Sequence, residues 1–300
     1  MRYGIYFAYW EKEWNCDQTK YVKKVKKLGF DTLEISCAIL KQMSDEQLRK
    51  FRHMAEDEGV VLTAGYGPGA SENLGSQDPD IQKHAIAFYS DLLRKLEILN
   101  IHTIGGGIYS YWPVDYSKKI DKEGDWAASV RNVRTVGKEA FDRGIDFCLE
   151  VLNRFEGYLI NTCEECKRFV DQVDVPSVKI MLDTFHMNIE EDDMCGAIRL
   201  AGKQLGHFHV GENNRRLPGK GGLDWYGIGE ALRDIGYDKT VVMEPFVQGG
   251  GTVGSDIKIW RDLSHHADEN RLDTDAKNSV AYLRYVFSGP YSDYSRSYKA

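Results

Sequence analysis

Short apolar strands alternate with helices along the whole chain. Strands are predicted at residues 3–8, 31–36, 60–64, 101–106, 145–150, 178–183, 205–209 and 240–244. Helices are predicted at residues 17–28, 45–58, 78–99, 125–143, 163–173, 193–202, 225–235, 255–264 and 274–286. Capping residues such as Ser44 mark several helix starts, and glycines such as Gly29 and Gly144 mark several helix ends.

The strict alternation of eight strands with helices indicates parallel strands joined by right-handed crossovers. In 300 residues, this count predicts an α/β protein folded as a (β/α)8 TIM barrel. A doubly wound open sheet is the competing architecture. No linker or low-complexity segment divides the chain, so a single domain is predicted over residues 1–300, with a frayed polar tail at about 289–300.

Composition narrows the class of protein. The net charge of −7 argues against nucleic acid as a partner, because binding to nucleic acid depends largely on neutralising phosphates. No apolar run approaches the length that crosses a bilayer, and the N-terminus lacks the pattern of a signal peptide. The one C-x-x-C pair, Cys163 and Cys166, has no second ligand pair for zinc. A reduced, cytoplasmic protein without a membrane partner is expected.

Four predicted strands end in a side chain that can bind a metal. These side chains are Glu150, Asp183, His209 and Glu244, on the fifth to the eighth strand. Because active residues of a (β/α)8 barrel come from the carboxyl ends of its strands, the four should converge. Without a cation, burying these four ionisable side chains together would be costly, because they would lose their hydration and the carboxylates would repel one another. A divalent metal site is therefore predicted, with a structural polar cluster as the alternative.

The types of ligand narrow the choice of ion and cofactor. Three carboxylates and an imidazole, without a thiolate, suit Mn²⁺ or Co²⁺, and Mg²⁺ is also compatible. No nucleotide cofactor is expected. Residues 249–254 match G-x-G-x-x-G, but no strand follows to complete a dinucleotide-binding unit. This segment is instead predicted to be a flexible loop that closes over the barrel mouth.

Polar and aromatic side chains follow the same strand ends. Asn153 follows the fifth strand, and Trp112 follows the fourth. Sugars require both kinds of side chain, because their hydroxyl groups take polar partners while their C–H faces pack on aromatic rings. The pattern therefore favours a small sugar as the substrate.

Six segments of the chain also carry a resemblance to a known family. They read GIY and YW within 4–10, AGYGP at 64–68, YSYWP at 109–113, LEVLNRFE at 149–156, MLDTFHMN at 181–188 and VMEPF at 242–246. The sequence resembles the ketose 3-epimerases, which include the D-tagatose and D-psicose (D-allulose) 3-epimerases, and it is most similar to the D-psicose branch. The similarity covers nearly the whole chain, and the run at 149–156 is highly specific.

The resemblance implies a xylose-isomerase-like barrel that acts on free ketohexoses as a homodimer or homotetramer. D-fructose and D-psicose would be the main substrates, with D-tagatose and D-sorbose as related ones. Glu150, Asp183, His209 and Glu244 would hold the metal, and Glu150 and Glu244 would also be the catalytic acid–base pair. The implied substrate-binding residues are Tyr6, Trp14, Gly65, Gly107, Trp112, Glu156, His186, Arg215 and Phe246.

The chemistry of inversion at C3 agrees with this set of residues. The proton beside the ketone must leave and then return from the opposite face, which calls for a carboxylate on each side. A cation that binds O2 and O3 would stabilise the cis-enediolate formed in between. An aldose–ketose isomerase, which moves a proton between C1 and C2, could use the same residues and is the nearest alternative.

Two other classes fit less well. A DNA-repair endonuclease on a similar barrel would need more histidine ligands and a basic face, and a non-catalytic sugar-binding protein would not need two bases. His207 shares a strand face with His209 and is expected to be a satisfied core histidine. Gly107, Cys37 and Asn213 depart from the family pattern, which leaves the preferred ketose open.

Overall fold

A closed barrel of eight parallel strands forms the centre of the computed structural model, which describes residues 1–289. Each strand pairs with its neighbours in chain order, and the first strand closes against the last. The strands are β1 (Arg2–Tyr6), β2 (Thr32–Ser36), β3 (Val61–Gly65), β4 (Thr103–Gly106), β5 (Asp146–Glu150), β6 (Val178–Asp183), β7 (Leu205–Val210) and β8 (Thr240–Met243). The predicted TIM barrel is confirmed and an open sheet is excluded, because the barrel has no free edge.

Ten α-helices within residues 1–289 occupy the connections between the strands and follow the last strand. They are α1 (Tyr21–Leu28), α2 (Asp45–Asp57), α3 (Pro79–Ile98), α4 (Lys122–Asp142), α5 (Cys163–Val173), α6 (Thr184–Glu190), α7 (Met194–Ala201), α8 (Trp225–Asp234), α9 (Gly251–Asp256) and α10 (Glu269–Phe287). Ser44 caps α2 in a reciprocal capping box with Gln47, as the sequence predicted.

Two helix predictions were wrong. The sequence predicted one helix between β6 and β7, but α6 precedes α7 there. Asp183 ends β6 and also caps α6, since its Oδ1 accepts a hydrogen bond from Phe185 N at 2.6 Å. The helix predicted at 255–264 is also wrong, because α9 ends at Asp256. Beyond it, Asp262 accepts hydrogen bonds from the backbone of Ser264 and His266 in a non-helical turn.

The strands are buried on both sides, which explains their apolar sequences. All five residues of β2 are buried, including the carboxylate of Glu34. The barrel interior is packed rather than hollow, because a Cβ atom at Gly105 would collide with the sulfur of Met181. The interior also contains polar side chains: His207 and Thr63 each hydrogen bond to Glu34. This polar layer lies directly beneath the carboxyl ends of the strands.

The six cysteines are all free thiols. Cys163 and Cys166 are buried and donate weak hydrogen bonds to the carbonyl oxygens of Ala197 and Leu149, so both thiols belong to the packed core. Among residues 1–289, no helix combines the length and apolar character that crossing a membrane requires. Most of the tail predicted to be frayed, from residue 290 onward, lies outside the described residues.

Candidate active site

The four predicted metal ligands converge at the carboxyl end of the barrel. Glu150 and Asp183 end β5 and β6, His209 lies in β7 opposite Asp183, and Glu244 follows β8. One ligand atom from each lies within 4.8 Å of the others. His209 Nδ1 lies 3.5 Å from Glu244 Oε1, 3.8 Å from Asp183 Oδ2 and 4.0 Å from Glu150 Oε1. The parallel strands therefore bring three carboxylates and one imidazole to a single point.

The donor atoms of this cluster fit a divalent cation. Asp183 Oδ2 and His209 Nδ1 are buried and have no hydrogen-bonding partner within residues 1–289, although both face the cluster centre. A buried polar atom without a partner is costly, and a bound ion would satisfy both atoms at once. Oxygen donors with one imidazole nitrogen are a set that Mn²⁺, Co²⁺ and Mg²⁺ accept. The residues present thus fit a metal centre.

The crowding of carboxylates shifts the protonation of the cluster. Burial raises the pKa of Glu150 well above its usual range, and the charge of Glu244 raises it further. Burial likewise raises the pKa of Asp183. Burial lowers the pKa of His209, but the carboxylates of Glu34 and Glu244 outweigh this effect and raise it well above its usual range. The environment is therefore strongly negative and favours a cation at the cluster.

His186 lies beside the cluster with a defined ring orientation. Asn153 donates hydrogen bonds to His186 Nδ1 from its backbone nitrogen at 3.2 Å and from its side-chain nitrogen at 2.7 Å. Since Nδ1 accepts, the ring proton lies on Nε2, which is 3.8 Å from Glu150 Oε1. Burial lowers the pKa of His186, so the imidazole is neutral at physiological pH. The ring therefore presents an N–H donor toward the cluster.

Arg215 and Glu156 form a buried ion pair next to His186. Arg215 Nη2 donates to Glu156 Oε1 at 2.8 Å, and the guanidinium lies 3.6 Å from the ring centre of Phe185. Burial raises the pKa of Glu156, but the charge of Arg215 and its hydrogen bond reverse this effect and hold that pKa below its usual value. Arg215 Nη1 has no hydrogen-bonding partner in the described part of the chain and lies 3.6 Å from Glu244 Oε2. This N–H group is available to a bound molecule.

A cavity of about 430 Å³ opens above these polar groups. Five aromatic side chains form part of its wall, namely Tyr6, Trp14, Tyr66, Trp112 and Phe246. The ring centre of Trp14 lies 6.3 Å from that of Trp112, 6.2 Å from that of Phe246 and 6.4 Å from that of Tyr6. The volume lies within the range of small-molecule sites. A polar floor beneath an aromatic wall is the arrangement that a sugar requires.

The two predicted glycines line the same cavity. A Cβ atom at Gly65 would lie 3.5 Å from both Glu34 Oε1 and the ring of Tyr6, so this glycine leaves room for both side chains. A Cβ atom at Gly107 would be 3.4 Å from Leu152 Cδ1. All the predicted substrate-binding residues therefore lie around the cavity, whereas Asp183 is fully buried beneath it.

Several residues of the site were not predicted from the sequence. Glu34 lies under His209, and Asp256 lines the cavity from α9. Lys41 and Glu72 form an ion pair at 2.5 Å on the cavity wall, where Tyr66 also hydrogen bonds to Glu72. Of these residues, only Glu34 could have been recognised from the sequence, because a carboxylate between Leu33 and Ile35 in a buried strand needs a polar partner.

His207 and the unusual family positions have mixed outcomes. His207 is fully buried and hydrogen bonds to Glu34 through Nε2, but its Nδ1 has no partner within residues 1–289, so it is only half satisfied. Gly107 lines the cavity, whereas Cys37 is buried behind the wall. Asn213 accepts a hydrogen bond from Gly222 in a loop and does not line the cavity.

Comparisons with known proteins agree on one family. The family of xylose isomerase-like TIM barrels matches residues 22–269. The D-psicose 3-epimerase of Ruminiclostridium cellulolyticum is 59% identical over 286 residues, which are 95% of this chain and 98% of that protein. The D-psicose 3-epimerase of Agrobacterium fabrum is 51% identical over 289 residues, which are 96% of this chain and 100% of that protein.

Solved structures are equally similar in fold. The crystal structure of a D-psicose 3-epimerase with D-tagatose from Clostridium cellulolyticum H10 has a TM-score of 0.95 at 58% identity, covering 96% of this chain and 99% of that chain. A D-psicose 3-epimerase structure in the presence of D-fructose has a TM-score of 0.95 at 51% identity, covering 96% of this chain and 100% of that chain.

Proposed function

The chain belongs to the ketose 3-epimerase family of isomerases, and we propose that it interconverts D-fructose and D-psicose by inverting C3. D-tagatose and D-sorbose are a related pair of substrates. One observation carries this proposal: the convergence of Glu150, Asp183, His209 and Glu244 beneath an aromatic-walled cavity. The related structures with D-tagatose and in the presence of D-fructose support the substrate class.

Glu150, Asp183, His209 and Glu244 would hold the divalent cation, for which we propose Mn²⁺ or Co²⁺, with Mg²⁺ also compatible. When bound, the cation would supply positive charge that stabilises the negative charge developing on two adjacent sugar oxygens. Support comes from the two buried, unpartnered donor atoms and from the raised pKa of Glu150 and Asp183. No nucleotide cofactor is part of this proposal.

Glu150 and Glu244 are proposed to move the proton at C3. Two strands, β6 and β7, separate the positions from which they extend, and both carboxylates face the same point. One carboxylate removes the proton from one face of the sugar, and the other returns a proton to the opposite face. Burial and the charge of Glu244 raise the pKa of Glu150, and a bound cation would oppose that shift by favouring the carboxylate form that accepts the proton.

The neighbouring polar groups are proposed to hold the O1 to O3 end of the sugar. Arg215 Nη1 and His186 Nε2 offer donors, and the ionised carboxylate of Glu156 offers an acceptor. Tyr6, Trp14, Trp112 and Phe246 would pack on the rest of the sugar and exclude water, and Gly65 and Gly107 would leave it room.

Deuterium incorporation tests the proposed reaction directly. D-psicose incubated with the Mn²⁺-treated protein in D₂O should yield D-fructose, with deuterium at C3 of both sugars. Deuterium at C1 with formation of an aldose would identify an aldose–ketose isomerase instead. Sugar binding without any exchange would identify a sugar-binding protein. Repeating the measurement with D-tagatose, D-sorbose and other ketoses would rank the substrates.

We further propose that the protein is a homodimer or homotetramer with one domain per chain, located in the cytoplasm. The family resemblance supports the oligomer, and the six free thiols support a reducing compartment. Light scattering coupled to size exclusion would give the number of copies, and a monomer at micromolar concentration would contradict the proposal.

A further inference from the structure

Glu34 is a fully buried carboxylate in β2 that does not line the substrate cavity. Its Oε1 lies 2.6 Å from His209 Nε2, and its Oε2 lies 2.7 Å from His207 Nε2. Thr63 Oγ1 donates a third hydrogen bond to Oε2 at 2.8 Å. Since an ionised carboxylate can only accept, both imidazoles donate their Nε2–H to Glu34.

This hydrogen bond decides which nitrogen of His209 is free. A neutral imidazole carries one N–H, so donation from Nε2 leaves the lone pair on Nδ1. Nδ1 is the atom that faces Glu150, Asp183 and Glu244, and it has no hydrogen-bonding partner among residues 1–289. The other tautomer would place an N–H where the ion binds and a lone pair against Glu34 Oε1.

We propose that Glu34 is a positioning residue that fixes the Nε2–H tautomer of His209 and so turns the Nδ1 lone pair toward the metal site. This inference rests on the proposed function, because it assigns His209 as a metal ligand. A carboxylate that orients a ligating histidine through its second nitrogen typically strengthens metal binding 10–100-fold.

His207 and Thr63 hold Glu34 in place. His207 is two residues from His209 on β7, and Thr63 lies beside Glu34 on β3. Both contact Glu34 Oε2, which leaves Oε1 to His209 alone. With three donors around one buried carboxylate, rotation of Glu34 would break more than one hydrogen bond. His207 thus stabilises the metal site indirectly, without being a ligand.

A second metal site at Glu34, His207 and His209 is a competing interpretation, because their donor atoms also lie close together. The observed separations of 2.6 and 2.7 Å contradict it. These are the distances of charge-assisted hydrogen bonds, whereas adjacent ligands at about 2.1 Å from one ion lie about 3 Å apart.

Mn²⁺ binding to the chelator-treated protein tests the proposal without any activity measurement. By calorimetry, Glu34→Gln, which keeps the side-chain volume and removes the charge, should bind Mn²⁺ about 10–100-fold more weakly than the parent. Thr63→Val is the matched control. It removes one of the three hydrogen bonds to the same carboxylate but leaves the Glu34–His209 contact, so its affinity for Mn²⁺ should fall less than that of Glu34→Gln. Equal affinity in the parent and a folded Glu34→Gln protein would overturn the proposal.

A spectroscopic measurement on the parent makes the test independent of any variant. With ¹⁵N-labelled histidine and the diamagnetic ion Mg²⁺ in place of Mn²⁺, the imidazole signals should show a proton on Nε2 of His209 and none on Nδ1. A proton on Nδ1 with a bare Nε2 would overturn the proposal even if Glu34→Gln fails to fold. Absence of C3 exchange in the parent would refute the proposed function instead, while the Mn²⁺ affinities and the histidine signals would still decide the role of Glu34.

Discussion

Trp14 and Asp256 join the segment after β1 to helix α9 across the mouth of the barrel, since the indole Nε1 of Trp14 donates a hydrogen bond to Asp256 Oδ2 at 2.9 Å. Trp14 follows β1, and Asp256 ends α9 after β8. A second link between the same two segments is the hydrogen bond from Thr252 Oγ1 to Glu13 Oε2 at 2.7 Å. Asp256 therefore fixes the ring of Trp14 against the cavity.

Asp256→Ala should raise the KM for D-psicose about fivefold, with kcat within about twofold of the parent. Loss of the hydrogen bond frees the Trp14 ring at a cost of about 1 kcal/mol. Asp273→Ala is the matched control, because Asp273 accepts a similar bond, at 2.8 Å, from Trp10 Nε1, and neither residue lines the cavity. Steady-state kinetics of both variants check the prediction, and an equal rise in KM in both would contradict it.

Glu150→Gln and Glu244→Gln should each lower kcat for epimerisation by at least about a thousandfold, because each removes the acid–base group on one face of the sugar. Each variant should still exchange the C3 proton of one epimer with D₂O, through the carboxylate that remains, without forming the other epimer. NMR of both sugars with both variants measures this. Near-normal kcat in either variant, or exchange of the same epimer by both, would rule out the two-base assignment.

Removal of the metal should abolish activity and lower thermal stability. A ligand at a hundred times its Kd stabilises the folded state by about 2.7 kcal/mol, which corresponds to several degrees in Tm. Melting curves before and after treatment with a chelator, and after addition of Mn²⁺ or Co²⁺, measure this difference. Activity that survives complete metal removal, verified by elemental analysis, would argue against a metal-dependent reaction.

The stabilisation by Mn²⁺ should increase from pH 5 to pH 8. Burial raises the pKa of Glu150 and Asp183, so the metal-free protein gains stability from their protonated forms at low pH. That contribution is complete below the ordinary pKa of about 4 and is lost as the pH rises through the raised values. Because Mn²⁺ competes with those protons, its effect on Tm grows with pH. An equal shift in Tm at both pH values would contradict this.

Gly107→Ala should be tolerated, with kcat/KM for D-psicose within about tenfold of the parent. The added Cβ would lie 3.4 Å from Leu152 Cδ1, an ordinary contact, although it narrows the cavity and can change the preference between ketoses. Gly106→Ala is the matched contrast. Gly106 has a φ of 121°, and a Cβ there would collide with the carbonyl oxygen of Tyr66, so this variant should lose stability. Kinetics and melting curves of the two variants give the comparison.

Local patterns in the sequence were sufficient to predict the barrel and the convergence of the four strand-end side chains. Strand and helix signals depend on residues close together in the chain, and the alternation leaves few possible topologies. Once the strands are parallel, Glu150, Asp183, His209 and Glu244 must meet, because each lies at a carboxyl end of its strand. The resemblance then added the residues predicted to bind the substrate, all of which lie around the cavity.

The contacts that support these residues depended on the tertiary structure. Glu34 hydrogen bonds to histidines 173 and 175 residues away, and Trp14 bonds to Asp256 across 242 residues. No local periodicity encodes such pairs, since they follow from the register of the strands and the closure of the barrel. The start of α6 directly after β6 was also hidden, because Asp183 serves as both a strand end and a helix cap. The chain sequence determined which ionisable residues converge at the strand ends, whereas barrel closure decided which residues hold them in position.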